Sequence, residues 1–386
     1  MKKKAVEVTI HELEDILNHY IDAGSGTNYA LKIIGHPGVG KSAVVKEVAN
    51  KRNYYFIDTR LAFKENIDLG GYPVPDHDAK RMIYYRPMFI PPETIPEGHD
   101  GILWFLDESN RAHPTVIQTL FQIITEGTCG EHRLPGNTAI VLAGNMGESD
   151  STTITEFDDS ALDGRLAIFH LKPDPGDWLR WAHKEGIHPS ITHYISLFPE
   201  RLWDEINVNP NPRGWHQVSQ ALTLSYGISS HEELFSYLSD NPEGTLTKLI
   251  ISLVGEIAGT DFIMQITSPR EITTREILSG EQHKLKLMKE SKIPTEDILW
   301  ALSGAITSLR EKNIILRGSL AADDLVELGN VLQFIGYARA DSRMSFFYLL
   351  LKECGLFTQI PHALATIPDS NSRLELKDRF TGLLED

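Results

Sequence analysis

Cysteine is almost absent from the chain: two residues in 386, Cys129 and Cys354. A pair this far apart, with no partner motif around either, excludes a small disulfide-stapled scaffold and fits two free thiols in a reducing compartment. Cys129 and His132 share a Cys-x-x-His spacing, but a structural zinc site needs about four ligands. Long apolar runs are missing too, since none approaches the ~20 residues that span a bilayer. The basic start, Met1-Lys2-Lys3-Lys4, lacks the apolar segment of a signal peptide, because Glu7, His11, Glu12 and Glu14 follow soon after. The expectation is a cytoplasmic protein with no membrane insertion. Positive charge is in the minority: 37 Lys and Arg stand against 53 Asp and Glu, a net charge of −16. Such a field repels a phosphate backbone and favours a protein partner over nucleic acid, although local basic loops could still line a pore. What remains is ordinary for a globular chain, with 41% hydrophobic and 23% charged residues. The length allows two or three domains.

Up to about residue 172, short apolar runs alternate with helical stretches. Strands are predicted at Ala30–Ile34, Tyr54–Ile57, Ile102–Leu106, Ala139–Ala143 and Leu166–Leu171. Ile102–Leu106 is wholly apolar, as expected of a strand buried on both faces. Helices are predicted over Ser42–Lys51 and over Thr115–Thr125, where Val116, Leu120, Ile123 and Ile124 keep helical spacing. Strands alternating with helices imply a parallel five-stranded sheet covered on both sides. After Pro173 the pattern is helical: Trp178–Lys184, Ile191–Phe198, Trp215–Tyr226, Leu246–Ile257, Thr295–Arg310, Asp323–Ala338 and Met344–Lys352. The charged stretch Ser268–Lys292 reads as a linker or an exposed helix. In the last part, Trp300, Leu302, Ile306 and Leu309 form an apolar stripe, more often core than a binding groove.

Three segments carry chemistry. Gly35-His36-Pro37-Gly38-Val39-Gly40-Lys41-Ser42, followed by Ala43, fits the phosphate-binding loop pattern G-x-x-x-x-G-K-[ST]. Its glycines let successive N–H groups point inward at phosphate oxygens, and the helix behind it adds a positive end. Lys41 is placed to reach the β- and γ-phosphates, and the Ser42 hydroxyl to bind Mg²⁺. Ile102–Glu108 is an apolar strand ending in two carboxylates: Asp107 to orient hydrated Mg²⁺, Glu108 to take a proton from an attacking water. A base beside the metal points to hydrolysis instead of nucleotide storage. Ala139–Asn145 is a second apolar strand ending in a polar amide, which either holds the water and γ-phosphate or simply forms a turn after Gly144. Arg165 opens the last strand, and Arg213 starts a helix after the proline-marked turn Pro210-Asn211-Pro212; alone, both read as surface arginines.

Together these residues resemble the AAA+ ATPases, and within them the MoxR-like branch that includes CbbQ and NorQ. Leu106-Asp107-Glu108-Ser109-Asn110-Arg111-Ala112 is similar to that branch's L-D-E-x-N-R-A signature, and Thr125-Glu126-Gly127 follows it as in the family. The resemblance covers roughly residues 10 to 265. It implies an α/β nucleotide-binding domain over 1–174, an all-α lid over 175–267 and, beyond the likeness, an all-α region over 268–386. ATP and Mg²⁺ become the implied nucleotide and metal, with GTP left open because the loop reads phosphates. Asn145 matches the sensor-1 residue, Arg165 the arginine finger that reaches a neighbouring subunit's nucleotide, and Arg213 the sensor-2 arginine of the lid. Gly164 separates Asp163 from Arg165, where the family usually reads D-R-F; Arg111 is a rival for the finger and Arg270 for the lid arginine. Residues 67–91 resemble the family's hairpin insertion, with Met82–Tyr85 as a strand and Lys80, Arg81 and Arg86 as its charges.

An arginine supplied in trans implies a ring, in this family usually a hexamer. The reading that follows is a ring ATPase that remodels or activates a protein client, for which the resemblance offers a von Willebrand factor A domain protein. A nucleic-acid motor and a nucleotide-dependent scaffold are the alternatives.

Overall fold

The computed structural model of the chain describes residues 5–24, 27–146, 164–315, 320–339 and 355–381, together with 343, 344, 346, 347 and 350. Met1–Lys4, Leu162, Asp163, Cys354 and parts of the helix expected over Met344–Lys352 lie outside the described residues. Contacts divide the chain into two compact units, Met1–Trp178 with Leu202–Gln217, and Leu179–Arg201 with Val218–Asp386. Among the described residues no helix is long and apolar enough to cross a membrane.

The first unit is built on a six-stranded sheet in the order β1 (Val6–Val8), β10 (Leu166–Leu171), β2 (Ala30–Ile34), β9 (Thr138–Gly144), β6 (Gly101–Asp107), β3 (Tyr54–Arg60). Every pairing in it is parallel. Five of these strands are the ones foreseen; β1 is an added edge. Its three residues, one of them Glu7, are too few for an alternating pattern to register, yet Val6, Glu7 and Val8 pair with Phe169, His170 and Leu171. The buried strands β6 and β9 send alternate side chains to opposite faces. Leu103, Phe105, Val141 and Ala143 face a cluster completed by Leu13 and Leu17 of α1 (Ile10–Ala23) and by Val44, Val45 and Val48 of α2 (Lys41–Lys51). Ile102, Trp104, Leu106, Ile140 and Leu142 face Val116, Leu120 and Ile123 of α4 (Pro114–Glu126). The result is an α/β fold with a parallel sheet covered on both sides, as the apolar runs dictate.

Local signals fix the helix ends. Thr9 and Glu12 form a reciprocal capping box ahead of α1. Pro114 stands at the first position of α4, and Gly127 closes that helix in the left-handed conformation. Between β3 and β6, α3 (Asn66–Gly70) leads into an antiparallel ribbon of β4 (Tyr72–Asp76) and β5 (Arg81–Tyr85), the hairpin expected within 67–91. A second, minimal ribbon joins β7 (Thr128–Cys129) to β8 (His132–Arg133). Cys129 is buried and its thiol donates to the Leu69 carbonyl at 3.0 Å. Burial pushes that thiol up to about 12, which disfavours the thiolate a metal would need. Helix α5 (Pro175–Lys184) crosses from the first unit into the second, which continues with α6 (Pro189–Leu197). Helix α7 (Pro212–Gln220) begins in the first unit and ends in the second.

The second unit is helical throughout its described part: α8 (His231–Asp240), α9 (Thr245–Val254), α10 (Glu256–Thr267), α11 (Thr274–Leu278), α12 (Gln282–Lys289), α13 (Thr295–Ile315), α14 (Ala322–Tyr337), α15 (Ile360–Thr366) and α16 (Ser370–Thr381). Trp300, Leu302, Ile306 and Leu309 are buried, so the stripe on α13 is core. The charged stretch 268–292 is neither a linker nor a free helix: Ile272, Ile277, Leu285 and Met288 anchor it in the same core as Leu302, Leu328 and Leu332.

Candidate functional site

The loop that follows β2 owes its shape to two glycines. Gly38 has φ +82° and Gly40 φ +99°, left-handed conformations that a side chain would strain. At Gly40 a Cβ would meet nothing within 4 Å, so open space lies beside that residue just ahead of α2. At Gly38 a Cβ would lie 2.5 Å from Asn211 Oδ1, so only glycine admits that neighbour. Val39 is buried in the α1–α2 face of the sheet and anchors the loop from below. Lys41 is buried, and its Nζ donates to the carbonyls of Gly35 at 2.6 Å and His36 at 3.0 Å. It also donates to Asn145 Oδ1 at 3.1 Å. Ser42 is half-buried and Ala43 exposed in the same helical turn, while Gly35 is buried and Pro37 half-buried in the loop.

The two carboxylates stand at the C-terminal end of β6, two strands from β2, with β9 and its Asn145 between them. The C-terminal edge of a parallel sheet is where α/β folds gather ligand-binding groups. Asp107 Oδ1 accepts the Glu108 N–H at 2.8 Å. Glu108 itself is left-handed, with φ +55°, a strained state of the kind that clusters at functional sites. Its Oε2 is buried and accepts no hydrogen bond among the described residues; Arg111 Nη1 stands 3.9 Å away. The amide of Asn145 must turn its oxygen to Lys41, since an ammonium can only donate. Its Nδ2 is then a donor on the same edge of the sheet as Glu108.

The remaining candidates fall in different places. Arg213 is exposed at the start of α7, and its backbone N–H donates to the Gly38 carbonyl at 3.2 Å, so the 202–217 segment rests on the phosphate-binding loop. Arg165 precedes β10 and lies over the Phe121 ring at 4.5 Å. Arg270, in the second unit, pairs with Asp297 at 3.2 Å, covers the Trp300 ring and donates to Gln265. On the hairpin, Tyr72, Met82, Tyr84 and Tyr85 are exposed. Arg86 donates to the Ile90 carbonyl and is not a hairpin-tip charge, whereas Lys80 is exposed in the turn.

Several groups at the site carry no sequence signal of their own. Asn211 holds the turn under Gly38: its Nδ2 donates to the Val208 carbonyl at 2.7 Å and its Oδ1 accepts from Gly214 N–H at 2.9 Å. His36 meets the Trp203 ring edge-on at 5.6 Å. Asp58, on β3, has its carboxyl pushed up by burial and then by the Asp107 charge. The His36 and Asp58 contacts join distant parts of the chain and the Asn211 bonds close a folded turn, none of them visible to spacing rules.

A triphosphate with Mg²⁺ fits these residues. The open space beside Gly40 and the buried amine of Lys41 suit phosphate oxygens. Ser42 and Asp107 would supply the hard oxygen donors that Mg²⁺ takes, and Glu108 keeps, beside the Arg111 guanidinium, a buried oxygen with no hydrogen bond among the described residues that could accept from a water. The metal would supply charge neutralisation of the phosphates.

No protein-family model matches the sequence, and no curated protein matches it. Among solved structures the chain is similar to NtrX from Brucella abortus, at 12% identity and a TM-score of 0.33, over 66% of this chain and 67% of that one. It is similar to the same protein in complex with ADP, at 15% identity and a TM-score of 0.34, over 78% of this chain but only 65% of that one. A third likeness is to a RuvB mutant from Thermotoga maritima, at 13% identity and a TM-score of 0.35, over 73% of this chain and 81% of that one. At such identities the reading of the site stands on the chain's own geometry.

Proposed function

We propose that the chain is an AAA+ ATPase of the MoxR-like kind that hydrolyses ATP with Mg²⁺ in a ring, usually a hexamer in that family, and uses the cycle to remodel or activate a protein client. The observation that carries the reading is the contact of Lys41 Nζ with Asn145 Oδ1 at 3.1 Å, between residues 104 apart in sequence. It joins the loop that would hold the β- and γ-phosphates to the strand beside Asp107 and Glu108. Hydrolysis then needs Glu108 as base, Lys41 and Asn145 on the transferred phosphoryl group, and charge from Arg213 in the same chain and Arg165 from a neighbour. The net charge of −16 supports a protein client over nucleic acid. The exposed hairpin tyrosines offer it a grip, and a von Willebrand factor A domain protein is the client the family resemblance offers.

A nucleic-acid motor is favoured only by those same tyrosines, which could stack on bases beside Lys80 and Arg81. The test for the client is capture by Glu108→Gln in ATP, under conditions in which light scattering reports a ring. The expected result is a protein recovered with ATP and released with ADP. Recovery of the ring alone would contradict client remodelling, and recovery of nuclease-sensitive material would favour the motor.

A further inference from the structure

The residue after next beyond Glu108 makes two hydrogen bonds to a backbone 35 residues away. Asn110 Nδ2 donates to the Asn145 carbonyl at 2.9 Å, and Asn110 Oδ1 accepts the Asn145 N–H at 3.2 Å. The orientation of this amide is dictated by its partners, because a backbone N–H can only donate and a carbonyl only accept. One residue earlier, Ser109 Oγ donates to the Ala143 carbonyl at 2.8 Å. The neighbour in between, Gly144, has no room for a side chain: a Cβ there would sit 2.9 Å from Asn110 Oδ1 and 3.1 Å from its Cγ. The short turn Ser109–Arg111 is itself closed by Arg111 N–H on the Glu108 carbonyl at 2.9 Å. The turn that begins at Glu108 is therefore tied by the Asn110 side chain to the backbone of Asn145, whose side-chain amide in turn meets Lys41.

We infer that Asn110 is the positioning residue of the site: it sets Asn145 against Glu108 so that the Asn145 amide and the Glu108 carboxylate face the reacting phosphoryl group at a fixed separation. The inference rests on the hydrolytic reading above. Asn110 touches neither Lys41 nor the phosphate-binding loop among its hydrogen bonds, so it acts on turnover through Asn145 and leaves nucleotide binding to the loop. Lys41 keeps its bonds to Gly35 and His36 whatever Asn110 does. An aspartate at 110 keeps an acceptor for the Asn145 N–H but loses the donor, and sets oxygen against the Asn145 carbonyl. It therefore does not restore the amide's function.

The experiment is a double-mutant cycle on Asn110 and Asn145, with phosphate release and ADP affinity read for wild type, Asn110→Ala, Asn145→Ala and the pair. Asn110→Ala is expected to lower kcat about 10-fold or more while ADP affinity stays within about twofold, the signature of an interaction made in the transition state. Asn110→Asp is expected to behave no better than the alanine variant. The pair should lose no more than Asn145→Ala alone, because Asn110 works through Asn145. Effects that multiply, or an Asn110→Ala enzyme as fast as wild type, would overturn the inference. So would a loss of kcat accompanied by an equal loss of ADP affinity. Wild-type protein that releases no phosphate would overturn the hydrolytic reading itself, a result distinct from a fast Asn110→Ala variant.

Discussion

Gly38 is the residue at which loop shape and neighbouring structure are most tightly joined. Its φ of +82° excludes ordinary side chains, and a Cβ would collide with Asn211 Oδ1 and approach Arg213 Cβ at 3.2 Å. A methyl group there would have to move both the loop and the start of α7. Gly38→Ala is therefore expected to cost about 1–3 kcal/mol of local strain, read as at least about a 5-fold loss of nucleotide affinity with the helical unit still folded. Unchanged affinity by titration would show that the loop and the 202–217 segment are not coupled. Lys41, Ser42, Asp107 and Glu108 were legible because their chemistry is written in short, contiguous patterns. Asn145 was legible only as one of two readings, and its contact with Lys41 lay beyond the reach of spacing. Asn110 and Asn211 stood in the signature and in the proline-marked turn without a role of their own, because an asparagine's partners lie 35 residues away in one case and in a folded turn in the other.

At the scale of elements, what the sequence made plain were segments whose whole length speaks with one pattern. Strands β6 and β9 are buried almost end to end, and α4 repeats its apolar residues at helical spacing. The three-residue β1 and the helix α8 escaped, as did α10, α15 and α16. The first is too short to show a period, and the second has a Ser230–Glu233 capping box but buries only Leu234 and Leu238. The stretch 268–292 misled because its charges outnumber the four apolar residues that anchor it. The helices of the second unit also make it sensitive to acid. Burial, helped by nearby positive groups, pushes His183 and His188 down to about 4 and His193 to about 3, from 6.5. These rings stay neutral when folded and take up protons when unfolded, so their contribution is complete above pH 6.5 and is lost as pH falls toward 4. Each histidine adds at most about 1.4 kcal/mol per pH unit in that window. The urea midpoint of the second unit's transition should fall between pH 7.5 and pH 5.0, and His193→Gln should make the fall shallower by one proton. Equal midpoints at the two pH values would show that the three rings are not held neutral.

At the scale of the whole molecule, a ring would give each chain an arginine that it does not supply to its own site. Arg165 rests on Phe121 of its own chain at 4.5 Å, and the ring reading gives it to a neighbour's nucleotide. A chain with Glu108→Gln and a chain with Arg165→Ala should each be inactive yet complement each other, since a head-to-tail ring pairs one subunit's base with the next subunit's arginine. Random mixing should restore about a quarter of the wild-type sites. The measurement that bears most directly on the central claim is steady-state phosphate release from ATP and Mg²⁺ by wild type, by the two variants and by their mixture. The account predicts turnover by wild type, a loss of about 100-fold or more in Glu108→Gln with ATP still bound, and recovery in the mixture. Phosphate release by Glu108→Gln equal to wild type would contradict it.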